Sequence, residues 1–397
     1  MAQFSERIRR LQPSPIREIL SLIDQSDMVS FAGGLPAQES FPEFDSSTMP
    51  PSYLQYGPTE GEPELRELIS TEMASIGLHC EPGQVLILSG SQQGIDLCAK
   101  LFIDRGTTVA LETPSYLAAL QVFRLFGAEF IGLDPNCPDT LLDSGQVSVG
   151  SRPELVYAIP TFQNPSGHCY DMAQRERLAG VCDAGSFALF EDDPYRELSY
   201  EPCERTPICS LVKTSTWVYQ GSFSKCLAPG LRLGFLVCSD DLIVPLTRLK
   251  QAADLHSSRI SQWLVWQQLK DSERHTRIAS LVDLYRHKRD IFAELLHKYF
   301  FDLASWNNPK GGLFFWLKLN VATDTNELLL RAIKRKVAFM PGEHFFYDAQ
   351  ARHSYLRLNF SHASQQQAEL GLSTLAELLH ESASENFDPK LKASASP

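Results

Sequence analysis

The stretch "QGSFSKCLAPGLRLGF", residues 220–235, sets two serines, a lysine and an arginine between two apolar runs, "STWVY" and "LGFLVCS". A lysine at the end of a buried strand loses solvation, which lowers its pKa and frees the amine to form an imine with an aldehyde. That describes Lys225. Ser222 and Ser224 offer hydroxyls, and Arg232 offers a planar fork that matches phosphate oxygens. A solvated loop would hold the same charges at little cost, so the reading depends on what else reaches this place.

Three other segments bring groups of the same kind. "SGSQQGIDLCAK" follows an apolar run and opens a helical pattern, placing Ser91 and Gln92 at a helix N-terminus, where free N–H groups favour an anion. A serine there also serves as an ordinary cap. "IPTFQNPSG" ends a run with Asn164 before Pro165, which holds Asn164 extended; an Asn-Pro pair is also a common turn. "FEDDPYREL" sets three acids at a strand end, well placed to pair with a cationic ring nitrogen; Glu191 and Asp193 flank Asp192, which the D-x-x-Y spacing to Tyr195 favours. At the carboxyl ends of parallel strands these groups converge on one crevice, a cradle for a phosphorylated aromatic aldehyde. No metal site is expected: His168 and Cys169 are adjacent but lack further ligands. Cys226, beside Lys225, reads as a filler.

The elements that must position them are legible as well. "QVLILS", "TTVALE", "AEFIGL", "ELVYAIP", "FALFEDD", "STWVYQ" and "LGFLVCS" are short and apolar, which predicts strands covered on both faces in a mostly parallel sheet of an α/β fold. "SQQGIDLCAKLF", "SYLAALQVFRLFG" and "MAQRERLAGVCDAG" read as helices, the last two closing on Gly127 and Gly185 as C-caps. Beyond residue 245 come consecutive helices. "GGLFFWLKL", "VAFMPGEHFF" and "YLRLNFS" then read as strands around a helix, "TNELLLRAIKRK". The expected division is a large domain at 46–295 and a smaller α+β domain from 1–45 and 296–385, with a frayed tail at 386–397.

A chain of 397 residues with 43% hydrophobic and 21% charged residues has ample core material. Its net charge of −12 argues against nucleic acid or an anionic membrane as partner. Nine cysteines without a CxxC pair suggest reduced thiols in a cytoplasmic protein. The polar start and the lack of a long apolar run predict neither a signal peptide nor a membrane span.

The combined pattern resembles the class I/II aminotransferases, pyridoxal 5'-phosphate enzymes of fold type I. Serine-x-serine-lysine followed by proline-glycine-x-arginine-x-glycine stands whole at Ser222 to Gly234, in order with "GSQQG", "ETPSY", "QNPSG" and "EDDPY". "SPIREIL", "SFAGGLP", "LQYGPTEGEPELR", "QAADLH" and "PKGGLFFW" most resemble the 2-aminoadipate and kynurenine subgroup of broad specificity. The resemblance implies that Lys225 holds the cofactor as an imine and shuttles the proton. It implies that Asp192 pairs with the pyridine nitrogen, that Asn164 and Tyr195 hold the phenolic oxygen, and that Tyr116 stacks on the ring. Ser91, Gln92, Ser222, Ser224 and Arg232 would bind the phosphate, with Tyr56 reaching it from the neighbouring subunit of a homodimer. Arg357 in "YLRLNFS" would clamp the substrate α-carboxylate, with Gly34 approaching through its backbone. Arg17 matches a residue that recognises acidic side chains; an exposed helical arginine explains it equally well.

The implied reaction is ping-pong transfer of an amino group from an L-amino acid to a 2-oxo acid, 2-oxoglutarate foremost. A lyase, decarboxylase or cyclase on the same fold shares the motifs. A ligand-sensing domain of a transcription regulator needs a helix-turn-helix ahead of residue 14, a stretch expected to be too short for one.

Overall fold

A computed structural model of the chain describes residues 3–10, 28–143, 152–348 and 354–387. Arg17 and the tail from residue 388 onward lie outside the described residues. Thirteen strands occur among those described. β1 (Val29–Ser30) lies outside the large sheet. β2 (Val85–Leu88), β3 (Thr108–Glu112), β4 (Glu129–Leu133), β5 (Leu155–Ala158), β6 (Ala188–Asp192), β7 (Trp217–Ser222) and β8 (Gly234–Cys238) form one sheet in the order β2-β8-β7-β6-β5-β3-β4. Only β8 runs against the rest. The seven apolar runs are these seven strands, and the sheet is mostly parallel, as their composition predicts.

Alternate residues enter two separate cores. Val85 and Ile87 face one, while Leu86 and Leu88 face the other, so both sides of the sheet are covered. β4 departs from the fully buried pattern: as an edge strand with one neighbour, it leaves Glu129 and Gly132 exposed. Gly127 caps its helix at φ 95°, as expected. Gly185 does not; it ends the helix Met172–Gly185 in helical geometry, and Ser186 takes the left-handed position at φ 48°.

After the long helix Arg274–Phe300, which runs unbroken through residue 295, come β9 (Ala304–Ser305), β10 (Phe314–Leu319), β11 (Val337–Ala338), β12 (Met340–Pro341) and β13 (Tyr355–Asn359). β12-β13-β10-β9 make an antiparallel sheet, and β1 pairs in parallel with β11. "VAFMPGEHFF" is therefore two short strands in different sheets, closed by a helical turn at Gly342–Phe345. Leu281, Phe292 and Leu296 of the long helix share one core with Phe315, Leu317 and Leu358. The N-terminal segment is tied to the same body: Asn359 N donates to Phe31 O at 2.9 Å and Ser361 Oγ to Leu35 O at 2.8 Å. Those bonds lay Gly33 and Gly34 along the edge of the large sheet.

Candidate active site

Each large-sheet strand that carries a candidate residue ends at the same sheet edge. β2 leads into the helix Ser91–Phe102, β5 into Asn164, β6 into Asp192, and β7 into the loop bearing Lys225. Because β8 is reversed, Arg232 just ahead of it returns to this edge. A cavity of about 210 Å³ opens there, and Ser91, Gln92, Gly34, Tyr116, Asn164, Asp192, Tyr195, Ser222, Ser224, Lys225, Arg232 and Arg357 all line it.

At one end, the helix Ser91–Phe102 begins with unpaired N–H groups at Ser91 and Gln92, with Gly90 as N-cap at φ 85° and ψ 155°. A Cβ on Gly90 would sit 2.6 Å from Arg232 Nη2 and push the guanidinium off this helix start, and the positive φ itself favours glycine. Ser224 N donates to Ser222 Oγ at 3.2 Å, which holds the serine loop beside it. Behind the helix start, the buried Lys250 donates to Gln93 Oε1 at 2.9 Å, Asp254 Oδ1 at 2.9 Å and Ser257 Oγ at 3.0 Å.

At the other end stands Asp192. Strand alternation turns it into the cavity and its two acidic neighbours away. Glu191 accepts from Cys209 N at 2.9 Å, and Asp193 accepts from Tyr219 Oη at 3.0 Å and from Arg196 Nη1 at 3.1 Å. Asp192 itself accepts from Tyr157 Oη at 2.7 Å and from Gln220 Nε2 at 2.8 Å. Burial pushes its carboxyl up to about 6 in spite of both donors.

Between them, Lys225 Nζ donates to Gly34 O at 2.8 Å. The residue is half-buried, but its amine is enclosed by the crevice walls; desolvation, then the charges of Arg357 and Arg232, pull its pKa down to about 8. Asn164 Nδ2 donates to Tyr195 Oη at 3.2 Å, and Arg357 Nη1 donates to Asn164 Oδ1 at 2.9 Å. Arg357 also bonds the Ala32 carbonyl and lies 4.2 Å from the Phe314 ring centroid. Its Nε is buried without a partner, a donor left for a ligand, and burial lowers its pKa to about 10.

Of the predicted residues, Tyr56 alone among those described stays outside the crevice, 76% exposed beside His256. Tyr157, Gln220 and the Lys250 cluster escaped sequence reasoning. Tyr157 reads as a core aromatic within "ELVYAIP"; the available signal for Gln220 was an amide ending the otherwise apolar "STWVYQ".

The fold and this crevice define a class. The aminotransferase class I and II family model matches residues 32–375, and the chain belongs to that family, whose members work with pyridoxal phosphate. It is 36% identical over 372 residues to 2-aminoadipate transaminase of Thermus thermophilus, covering 90% of this chain and 91% of that one. It is 34% identical over 393 residues to aromatic-amino-acid aminotransferase 1 of Thermococcus litoralis, covering 95% and 94%. The crystal structure of Pyrococcus horikoshii kynurenine aminotransferase superposes with a TM-score of 0.88 at 32% identity, covering 96% of this chain and 97% of that chain. Overlapping fold, chemistry and ancestry make this protein an aminotransferase.

Proposed function

We propose that the chain moves an amino group from an L-amino acid, with 2-aminoadipate and aromatic amino acids the first candidates, to 2-oxoglutarate in a ping-pong cycle. One observation carries the reading: a neutralisable amine, Lys225, and a buried carboxylate, Asp192, face one crevice that has anion donors at one end. The residues fit the family's cofactor. Gly90 leaves room for Arg232 over the helix start, and together with Ser91, Gln92, Ser222 and Ser224 it makes a cup for a phosphate. Pyridoxal phosphate supplies an aldehyde and an electron-accepting ring.

In this reading Lys225 Nζ would hold the aldehyde. In its neutral form the same Nζ would be the base that takes up and returns the substrate's α-proton. A pKa near 8 suits both directions at neutral pH. Asp192, held in place by Tyr157 and Gln220, would pair with the ring nitrogen and favour its protonated form. Asn164 and Tyr195 would hold the ring oxygen, and Tyr116 would cover the ring face. Arg357 clamps the α-carboxylate, with Gly34 offering close backbone approach. For Tyr56, exposed together with Leu54, we infer a place in the neighbouring site of a two-fold dimer. The division into 46–295 and 1–45 with 296–385, and a cytoplasmic location in keeping with nine free thiols, complete the reading.

The test is a panel of amino acids added to the holoprotein with 2-oxoglutarate. Formation of the matching 2-oxo acid in step with glutamate is expected. Release of ammonia or carbon dioxide instead would establish a lyase or decarboxylase and overturn the proposal.

A further inference from the structure

Cys169 and Cys203 stand apart from the other thiols. Cys98, Cys182, Cys209 and Cys238 are buried in the large-sheet cores, where desolvation pushes their thiols up. Cys169 follows β5 and Cys203 follows β6, so 34 positions of chain separate them, yet the loops meet. Cys169 Sγ donates to Glu204 O at 3.2 Å, which lays it against the residue that follows Cys203. Cys203 is thereby brought beside Cys169, and Ser199 Oγ lies 3.5 Å from Cys203 Sγ. Both cysteines are half-buried and line an open cavity of about 630 Å³ on the outer side of the crevice loops.

The surroundings favour one thiolate. Arg175, fully buried, ties the two loops by donating to Pro160 O at 2.8 Å, Glu204 O at 3.0 Å and Thr206 O at 2.9 Å. Its Nη2 also lies 3.8 Å from Cys169 Sγ. The neighbouring Cys169, with Ser199, Arg205 and Arg175, pulls the Cys203 thiol down against burial, while Cys169 is pushed up. With its proton held by Glu204 O, Cys169 is the proton donor of the pair and Cys203 the nucleophile.

We propose that Cys169 and Cys203 form a redox-modification site, closed to a reversible disulfide by hydrogen peroxide. The Cys203 thiolate attacks the peroxide oxygen. The O–O bond breaks, a sulfenic acid forms, and the departing hydroxide takes up the proton Cys203 had released, leaving as water. Cys169 sulfur then attacks the Cys203 sulfur, the S–O bond breaks, and the hydroxyl leaves with the Cys169 proton as a second water. Two thiols are oxidised and one peroxide is reduced to two waters. The new bond joins the loop carrying Asn164 to the one carrying Tyr195, adding a covalent tie where Arg175 supplies hydrogen bonds.

The test treats native holoprotein with one equivalent of hydrogen peroxide, blocks remaining thiols, and maps peptides without reductant. A Cys169–Cys203 linked peptide, lost again on adding dithiothreitol, is expected. In Cys169→Ser, dimedone should trap a sulfenic acid on Cys203. A linked peptide that appears only after denaturation, or oxidation that consumes Cys137 and Cys80 as fast as this pair, would overturn the site. So would the absence of both the linked peptide and the adduct.

Discussion

Removing the hydroxyl of Tyr157 tests how Asp192 is controlled. The Tyr157 ring is fully buried, edge-on to Phe123 at 5.5 Å and to Phe190 at 5.3 Å, so Tyr157→Phe keeps the packing and deletes one donor. That donor reaches Asp192 Oδ2 at 2.7 Å, and the other carboxylate oxygen keeps Gln220. A hydrogen bond to a charged acceptor is worth about 1.5 to 3 kcal/mol. At 1.36 kcal/mol per pKa unit, the loss raises Asp192 from about 6 by roughly one to two units. At pH 7 the carboxylate fraction then falls from roughly nine-tenths to half or less. Linkage has the matching sign: a carboxyl raised by folding binds protons more tightly in the folded apoprotein. Stability therefore falls as pH rises from the unfolded value near 3.8 through about 6, and the variant extends that fall upward. The assay is spectroscopic titration of apoprotein with pyridoxal phosphate across neutral pH. The variant should bind several-fold more weakly at pH 7 and recover in alkaline solution, while the wild type weakens only toward pH 6. An unchanged pH profile in Tyr157→Phe would refute the reasoning.

Three further outcomes follow from the same geometry. The reactive form of Lys225 is the neutral amine, so the rate at which apoprotein captures the aldehyde should rise with pH and level off above about 8, well below an ordinary lysine; borohydride should fix the cofactor in wild type but not in Lys225→Ala. Arg357→Lys keeps a charge but loses the fork, and KM for the amino donor should rise by about 10- to 100-fold with cofactor affinity nearly unchanged, as read by steady-state kinetics and cofactor titration. Gly90→Ala places a methyl 2.6 Å from Arg232 Nη2 at a φ of 85°, and the strain of about 1–3 kcal/mol should weaken cofactor binding roughly tenfold or more by equilibrium titration.

Apolar runs of strand length are a local property, and so the seven strands of the large sheet, and the helix starting at Ser91, are readable along the chain. The chemically informative residues are equally local, because Ser222 at the end of β7 and Lys225 and Arg232 in the loop that follows lie close in sequence, and each keeps its donor type in any fold. The boundaries that misled are those where a neighbour in space decides: Ser186 rather than Gly185 takes the left-handed turn, and "VAFMPGEHFF" divides because β11 finds β1 while β12 finds β13.

Residue type and order by themselves determined that an amine, a carboxylate, an amide and a phosphate-binding set stand at the ends of strands in a parallel α/β sheet. Which groups hold Asp192, where its two acidic neighbours turn, and how far the Lys225 amine is shifted were decided only in three dimensions. The reason is that desolvation and hydrogen-bond partnership are sums over neighbours drawn from distant parts of the chain. Tyr157 and Gln220 meet Asp192 from two other strands, and no spacing along the sequence records that meeting.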